Sequence, residues 1–198
     1  MDTKEKILHT ALHLYNKEGI HTITSRHIAT EMGISAGNLH YHFKHTDEIM
    51  KMLYDRLSSE FDQLMSQTGS MKTIDMNNVD EFSGLSFRII YKYRFIFLHF
   101  IEIARRIPTI RRDYLKLTER RTQQFSNIFQ QLVKNRIFRS DLPKNIWPAL
   151  VRQIFIVADF WLSNNELTNR LSEKKALIQF TETFRIMFIP YLASNTRH

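Results

Sequence analysis

The 198 residues include no cysteine, which removes disulfides, thiolate zinc sites and cysteine nucleophiles at once and agrees with a reducing, cytoplasmic setting. Glycine and proline are scarce, at 5 and 4. No run of alternating β-branched residues is bounded by turn signals, so the composition points to an all-α fold. No apolar run approaches the roughly 18 residues that a membrane span needs. The opening stretch, MDTKEKILHTALHLYNKEG, mixes charges with its apolar residues and has neither a signal-peptide core nor a small-residue cleavage site. A glycine-rich phosphate loop, a nucleophile motif and a metal-ligand set are also missing. His99 and Glu102, three apart on a helix, could do acid–base work, but nothing joins them. No catalytic residue, cofactor or metal is expected.

What is present in excess is positive charge, a net +8, and its placement matters more than its size. Residues 1–46 hold five Lys/Arg against four Asp/Glu, whereas Arg88 to Arg139 holds thirteen against three. The surplus therefore marks a solvated arginine-rich face or an anion-binding surface in the later part of the chain. Histidine has the opposite distribution, with seven of nine in the first 45 residues. Their partial protonation would raise the charge of that region, so binding to a polyanion is expected to strengthen as pH falls. His9 and His13 are four apart on one helix and His40 and His42 are close, but neither pair has a carboxylate or cysteine framework for zinc.

The stretch from Thr24 to Phe43 organises the chain. Ile28, Ala29 and Met32 give a helix over Ser25–Met32 one buried stripe, with Thr24 or Ser25 as its cap. Gly33 follows where a left-handed backbone costs least, and Ser35 offers an oxygen to the amides of a second helix, Ala36 to His42. Leu39 and Phe43 would face inward. Ala36, Gly37, Asn38, Tyr41 and His42 would look outward or along the rim, an acid-free face suited to base edges and phosphates. Ala29, Gly33 and Leu39 have the spacing of a helix-turn-helix: a small residue for close approach, a turn and a plug. An ordinary corner between helices fits the same residues.

From about Lys4 to Leu53 the sequence resembles the TetR/AcrR-type transcriptional regulators. The resemblance lies in Ile7-Leu8, Ala11-Leu12, Leu14-Tyr15 and Gly19, then Thr24 with Ile28-Ala29, Met32-Gly33-Ile34-Ser35, Gly37-Asn38-Leu39 and Tyr41-His42-Phe43-Lys44. Two positions depart from it: His40 stands where the family usually has tyrosine, and Thr46 where it usually has lysine, so the grip on phosphate is weaker or differently built. The resemblance implies a DNA-binding domain over 1–46 and a helical ligand-binding and dimerisation domain over 47–198. It further implies Arg26 and Asn38 at base edges, Tyr41, His42 and Lys44 on phosphates, and Thr24, Ser25 and Thr46 adding hydroxyl or amide contacts, with Ala36 and Gly37 on the same surface.

The remaining pattern is helical. A first helix over about Thr3–Glu18 ends at Gly19, and Thr46 can cap a long helix carrying Ile49, Leu53, Leu57, Phe61 and Leu64, which in the family is the lever between ligand and DNA. Ser66 to Asp80 reads as a loop. Leu85 to Arg106 reads as two helices broken near Tyr93–Phe95, Pro108 opens a long helix, and the last two helices cover about Pro143–Ser163 and Glu173–Leu192. That makes about nine helices. The last two have apolar faces wide enough for a four-helix bundle across a two-fold axis, or for burial within one subunit. A pocket lined by Tyr91, His99, Phe100 and Phe155 is expected from composition and family position, and arginines 105, 106, 111 and 112 favour an anionic ligand. The expectation is thus a homodimeric repressor that binds a palindromic operator in double-stranded DNA and is released by a small molecule; the competing reading is a helical adaptor whose N-terminal domain binds protein.

Overall fold

The computed structural model describes residues 2–69, 74–143 and 145–193. Ten α-helices follow one another among them: α1 Thr3–Glu18, α2 Ser25–Glu31, α3 Ala36–His42, α4 Thr46–Gly69, α5 Met76–Lys92, α6 Arg94–Leu98, α7 Phe100–Arg106, α8 Pro108–Lys134, α9 Ile146–Leu167 and α10 Glu173–Phe188. A 3-10 turn, Ile189–Tyr191, comes last and carries Pro190, where little helix remains to be broken. Packing divides the chain into two compact units, Met1–Ser59 with Tyr93–Asp113, and Glu60–Lys92 with Tyr114–His198. α4 and α8 therefore each contribute residues to both.

The first unit is built on α1, which runs over the expected residues. Asp2 caps it by accepting the Glu5 amide at 2.8 Å, and Gly19 ends it at φ +80° with its N–H on the Tyr15 carbonyl. Ile7, Leu8, Ala11 and Tyr15 are buried. Side chains of α1 also hold the helices that follow Tyr93: Asn16 accepts the Phe95 amide at 3.1 Å, and the Tyr15 ring packs on Phe95 at 5.1 Å. Arg56 of α4 pairs with Glu5.

Two expectations need correction. The aromatic stretch breaks at His99 (φ −121°, ψ 22°) as well as at Tyr93, which makes ten helices where nine were expected. The loop expected over Ser66–Asp80 is mostly helix. α4 continues to Gly69, its last turn supported by the buried Thr68 hydroxyl donating to the Leu64 carbonyl. α5 begins at Met76 because Asp75 accepts the amides of Asn77 and Asn78 while Asn78 accepts the Asp75 amide; residues 70–73 of that stretch lie outside the described residues. α9, with 22 residues and a mean hydropathy of 1.3 in its most apolar window, is long and apolar enough to cross a membrane by length and composition, but Arg152 and Asp159 interrupt it, so its uninterrupted apolar runs stay short, as expected.

The second unit has an aromatic core. α5 and α10 pack through Phe87, Phe180 and Phe184, with Trp161 of α9 edge-on to Phe87 and to Phe180. A second cluster joins Phe129, Phe138, Trp147 and Phe188. No strand forms among the described residues. One isolated antiparallel bridge pairs Phe138 with Leu192, held by the Arg139 amide on the Tyr191 carbonyl at 2.9 Å and the Ala193 amide on the Ile137 carbonyl at 2.8 Å.

Among the described residues, two ionisable side chains are buried in this unit. Arg121, 4 % exposed, reaches Asp62 and Gln124. Asp159 of α9 accepts the Tyr114 hydroxyl. Burial pushes the Asp159 carboxyl up to about 6 from 3.8, and the Tyr114 hydrogen bond offsets part of that rise. The fold therefore holds this proton more tightly than the unfolded chain does. Stabilisation that is complete below about pH 4 is lost as pH rises through about 6, by up to about 3 kcal/mol. Asp159→Asn, which keeps an acceptor for Tyr114, should melt at a higher temperature than the wild type near neutral pH and match it near pH 4. Thermal melts of both proteins across that range check this; a difference that does not depend on pH would show that the fold does not raise the Asp159 carboxyl above its ordinary value.

Candidate nucleic-acid interface

The helix-turn-helix forms because each helix end is satisfied locally. Thr24 caps α2, its Oγ1 accepting the His27 amide at 3.4 Å while His27 Nδ1 accepts the Thr24 amide at 3.2 Å. Histidine thus takes the place glutamate holds in the usual capping box, a partner not foreseen from the sequence. Gly33 turns at φ +65°, its amide on the Thr30 carbonyl and the Ile34 amide on the Ala29 carbonyl, both at 3.0 Å. Ser35 Oγ then accepts the Asn38 amide at 3.1 Å and starts α3. Between the helices lie Ile28, Ala29, Leu39 and Phe43, none more than 2 % exposed.

This leaves one outward face. Arg26, Ala36, Gly37, Asn38, Tyr41 and Lys44 are exposed with Thr24, and Ser25, His42 and Thr46 are half-buried at its margin. Tyr41 is 81 % exposed, which no packing requirement explains. His42 stands edge-on to it at 5.2 Å. The structure brings the expected residues of α2 and α3 onto the short segment from Thr24 to Thr46, and α3 contains no acid.

The two departures from the family pattern both have intramolecular partners. His40 Nδ1 donates to the Lys44 carbonyl at 3.2 Å, which fixes its tautomer and leaves Nε2 outward. Thr46 does not cap α4 from outside; it is the first helical residue, and its hydroxyl accepts from Arg106 at 3.2 Å. Arg106 also pairs with Asp47 at 2.6 Å, so part of the basic surplus is spent inside the first unit. In the second unit, Arg120 and Arg121 pair with Asp62. Arginines 105, 106, 111 and 112 are all exposed.

The residues expected around a ligand are divided between the units. Tyr91 stacks on Phe87 at 5.6 Å and Phe155 lies edge-on to Tyr114 at 6.3 Å, in the second unit. His99 and Phe100 are half-buried in the first. The Tyr114–Asp159 pair beside Phe155 was not anticipated, although an aspartate within IFIVADFWL was a visible signal of a buried polar contact.

Comparison with known proteins bears on both parts of the chain. A family model described as bacterial regulatory proteins, tetR family, matches residues 7–53, and one described as a bacterial transcriptional repressor, TetR, matches residues 46–198. No curated protein sequence matches. Among solved structures, a TetR-family transcriptional regulator from Marinobacter aquaeolei VT8 is 24% identical, with a TM-score of 0.88 over 100% of this chain and 94% of that one. A putative transcriptional regulator from Saccharomonospora viridis in complex with choline is 19% identical, with a TM-score of 0.74 over 93% and 94%. The fatty acid degradation regulator FadR from Bacillus halodurans is 15% identical, with a TM-score of 0.66 over 93% and 95%. At these identities the structures speak for the fold, while the family models cover almost the whole chain; the adaptor reading gives way, and the chain belongs to the TetR family of bacterial transcriptional regulators.

Proposed function

We propose that the protein is a homodimeric repressor that reads a palindromic operator through α3 and is released by a small molecule. The observation that carries this is the exposed, acid-free face of α3 beside Arg26, with Tyr41 held out in solvent. Within it Arg26 and Asn38 read base edges, since arginine can grip guanine and asparagine adenine. Tyr41, His42 and Lys44 hold phosphates, and Thr24, Ser25, Ala36, Gly37 and Thr46 complete the contact surface with hydroxyls, amides and close backbone approach. Residues 1–46 are the reader, and 47–198 the ligand-binding and dimerisation part. The protein works in the cytoplasm, as a regulator and not as an enzyme.

Dimerisation is supported by apolar side chains that α9 and α10 leave exposed: Ile156, Phe160 and Leu167 on one, Ile178 and Ile186 on the other. They recur along each helix at near-helical spacing, and a copy of the same pair across a two-fold axis would cover them. The ligand contacts Tyr91 and Phe155 in the second unit, where the buried ionisable groups are Asp159 and Arg121. The surface arginines give no support to an anionic ligand there. An acid beside aromatic rings suits a neutral or cationic molecule, and the Saccharomonospora viridis relative is in complex with choline. To release DNA a hundredfold, any ligand must prefer the non-binding conformation by about 2.7 kcal/mol.

Selection of bound sequences from random duplex DNA should return a palindrome with half-sites roughly 34–36 Å apart; no enrichment by folded dimer would sink the reading. Arg26→Ala should cost about 1–3 kcal/mol and relax preference at one base pair per half-site. Equal weakening on all sequences would move Arg26 to the backbone. Ile186→Glu should give a monomer by sedimentation with helical circular dichroism unchanged, and lose the palindrome. A dimer that persists would place the interface elsewhere.

A further inference from the structure

The first unit brings His21 to His99 and Glu102, a pair that lies far along the sequence from it. His21 lies in the turn between α1 and α2, His99 at the break between α6 and α7, and Glu102 in the first turn of α7. Each offers one ligand atom, and those atoms all lie within 4.8 Å of one another. His21 Nε2 and Glu102 Oε2 are already 3.1 Å apart. That is close to the donor spacing of roughly 3.3 Å set by tetrahedral bonds of about 2.0–2.2 Å. The two imidazoles stand edge-on, 5.8 Å between centroids.

Their mobility differs in a useful way. His99 is fixed by its backbone, its amide on the Phe95 carbonyl at 3.1 Å and its carbonyl accepting the Ile103 amide at 2.9 Å. His21 and Glu102 have side chains 68% and 45% exposed and can close the remaining gap by changing rotamer. Burial lowers the His99 proton affinity, Glu102 opposing and His21 adding to the effect, which keeps a ring lone pair available. A Cβ at Gly19 would touch His99 Nε2 at 3.8 Å, an ordinary van der Waals contact, so glycine there keeps a side chain off this nitrogen.

We propose that His21, His99 and Glu102 bind one divalent transition-metal ion of the zinc class, with the fourth position open to water. Two neutral imidazoles and a carboxylate carry one negative charge against the ion's two positive ones, and without cysteine the donors are nitrogen and oxygen only. The ion would tie the turn that enters the helix-turn-helix to α7 of the same unit. A simple His21–Glu102 ion pair needs no third donor, whereas the geometry supplies one.

The test is calorimetric titration of the full-length, chelator-stripped protein with Zn²⁺, and with Co²⁺ while following its visible absorption as the coordination readout; no DNA is present, so the result is independent of operator binding. One equivalent should bind. His21→Ala and Glu102→Gln, both at exposed positions, should each weaken it by more than the roughly 10–100-fold that loss of an outer-sphere partner costs, and should reduce the Co²⁺ band. The double variant His9→Ala/His13→Ala removes the exposed histidine pair of α1 and should bind as the wild type does. Binding that survives His21→Ala and Glu102→Gln, binding lost with His9 and His13, or no stoichiometric binding by the wild type would each overturn the proposal.

Discussion

The reader depends on the contact of Leu39 with the helix before it, across the left-handed turn at Gly33. Leu39 is fully buried and Ala29 is 2 % exposed, so a leucine and a residue with only a methyl side chain are enclosed in the small core that the helices share. A larger residue at 29 would spread them, and a smaller one at 39 would leave a cavity, a change that costs about 2–5 kcal/mol for leucine to alanine. Because α3 is only seven residues long, it has almost no stability of its own. Its outward residues are useful only while its inward ones are held. The exposed Tyr41 and Asn38 are positioned by Leu39 and Phe43 on the other side of the same two turns.

What could be seen in the sequence was whatever neighbouring residues decide. α1 and α3 begin and end where their patterns place them, because Asp2, Gly19 and Ser35 act within four residues of themselves. The α5 start was legible in principle, since Asp75 and Asn78 cap each other, but a run of polar residues hid the signal. The break at His99 was not legible. It occurs among strongly apolar residues, with no glycine or proline to mark it, in a stretch held by Asn16 and Tyr15 from the other end of the unit. The same holds for chemistry. A face of α3 can be drawn from spacing alone; the joining of Thr46 to Arg106, of Tyr114 to Asp159, and of His21 to Glu102 is made by the fold over long separations.

Those long-range pairs change what the charge pattern means. A surplus of thirteen Lys/Arg over three Asp/Glu between Arg88 and Arg139 resembles a polyanion-binding surface when read as a string. In the structure, Arg106 pairs with Asp47, Lys92 with Glu60, and Arg120 and Arg121 with Asp62. Acids on α4 thus answer bases on α5, α7 and α8. Four of the thirteen bases are thus partnered by one acidic helix, which lowers the share of the surplus available to DNA.

The reader must then gain its affinity without much net charge. Five basic against four acidic residues in 1–46 leave few ammonium or guanidinium groups to displace counterions, so the proposed phosphate contacts must draw on hydroxyls, amides at helix starts and imidazoles as well as on lysine. The imidazoles are not equivalent in this respect: with Nδ1 donating to the Lys44 carbonyl, the neutral His40 ring keeps its lone pair on Nε2, which can accept but not donate. His27 has the other arrangement: its Nδ1 keeps the lone pair and accepts the Thr24 amide, closing the cap of α2. A count of histidines is therefore a poor measure of what they offer a phosphate, because one ring is turned to the Lys44 carbonyl while another is taken up by the cap of α2.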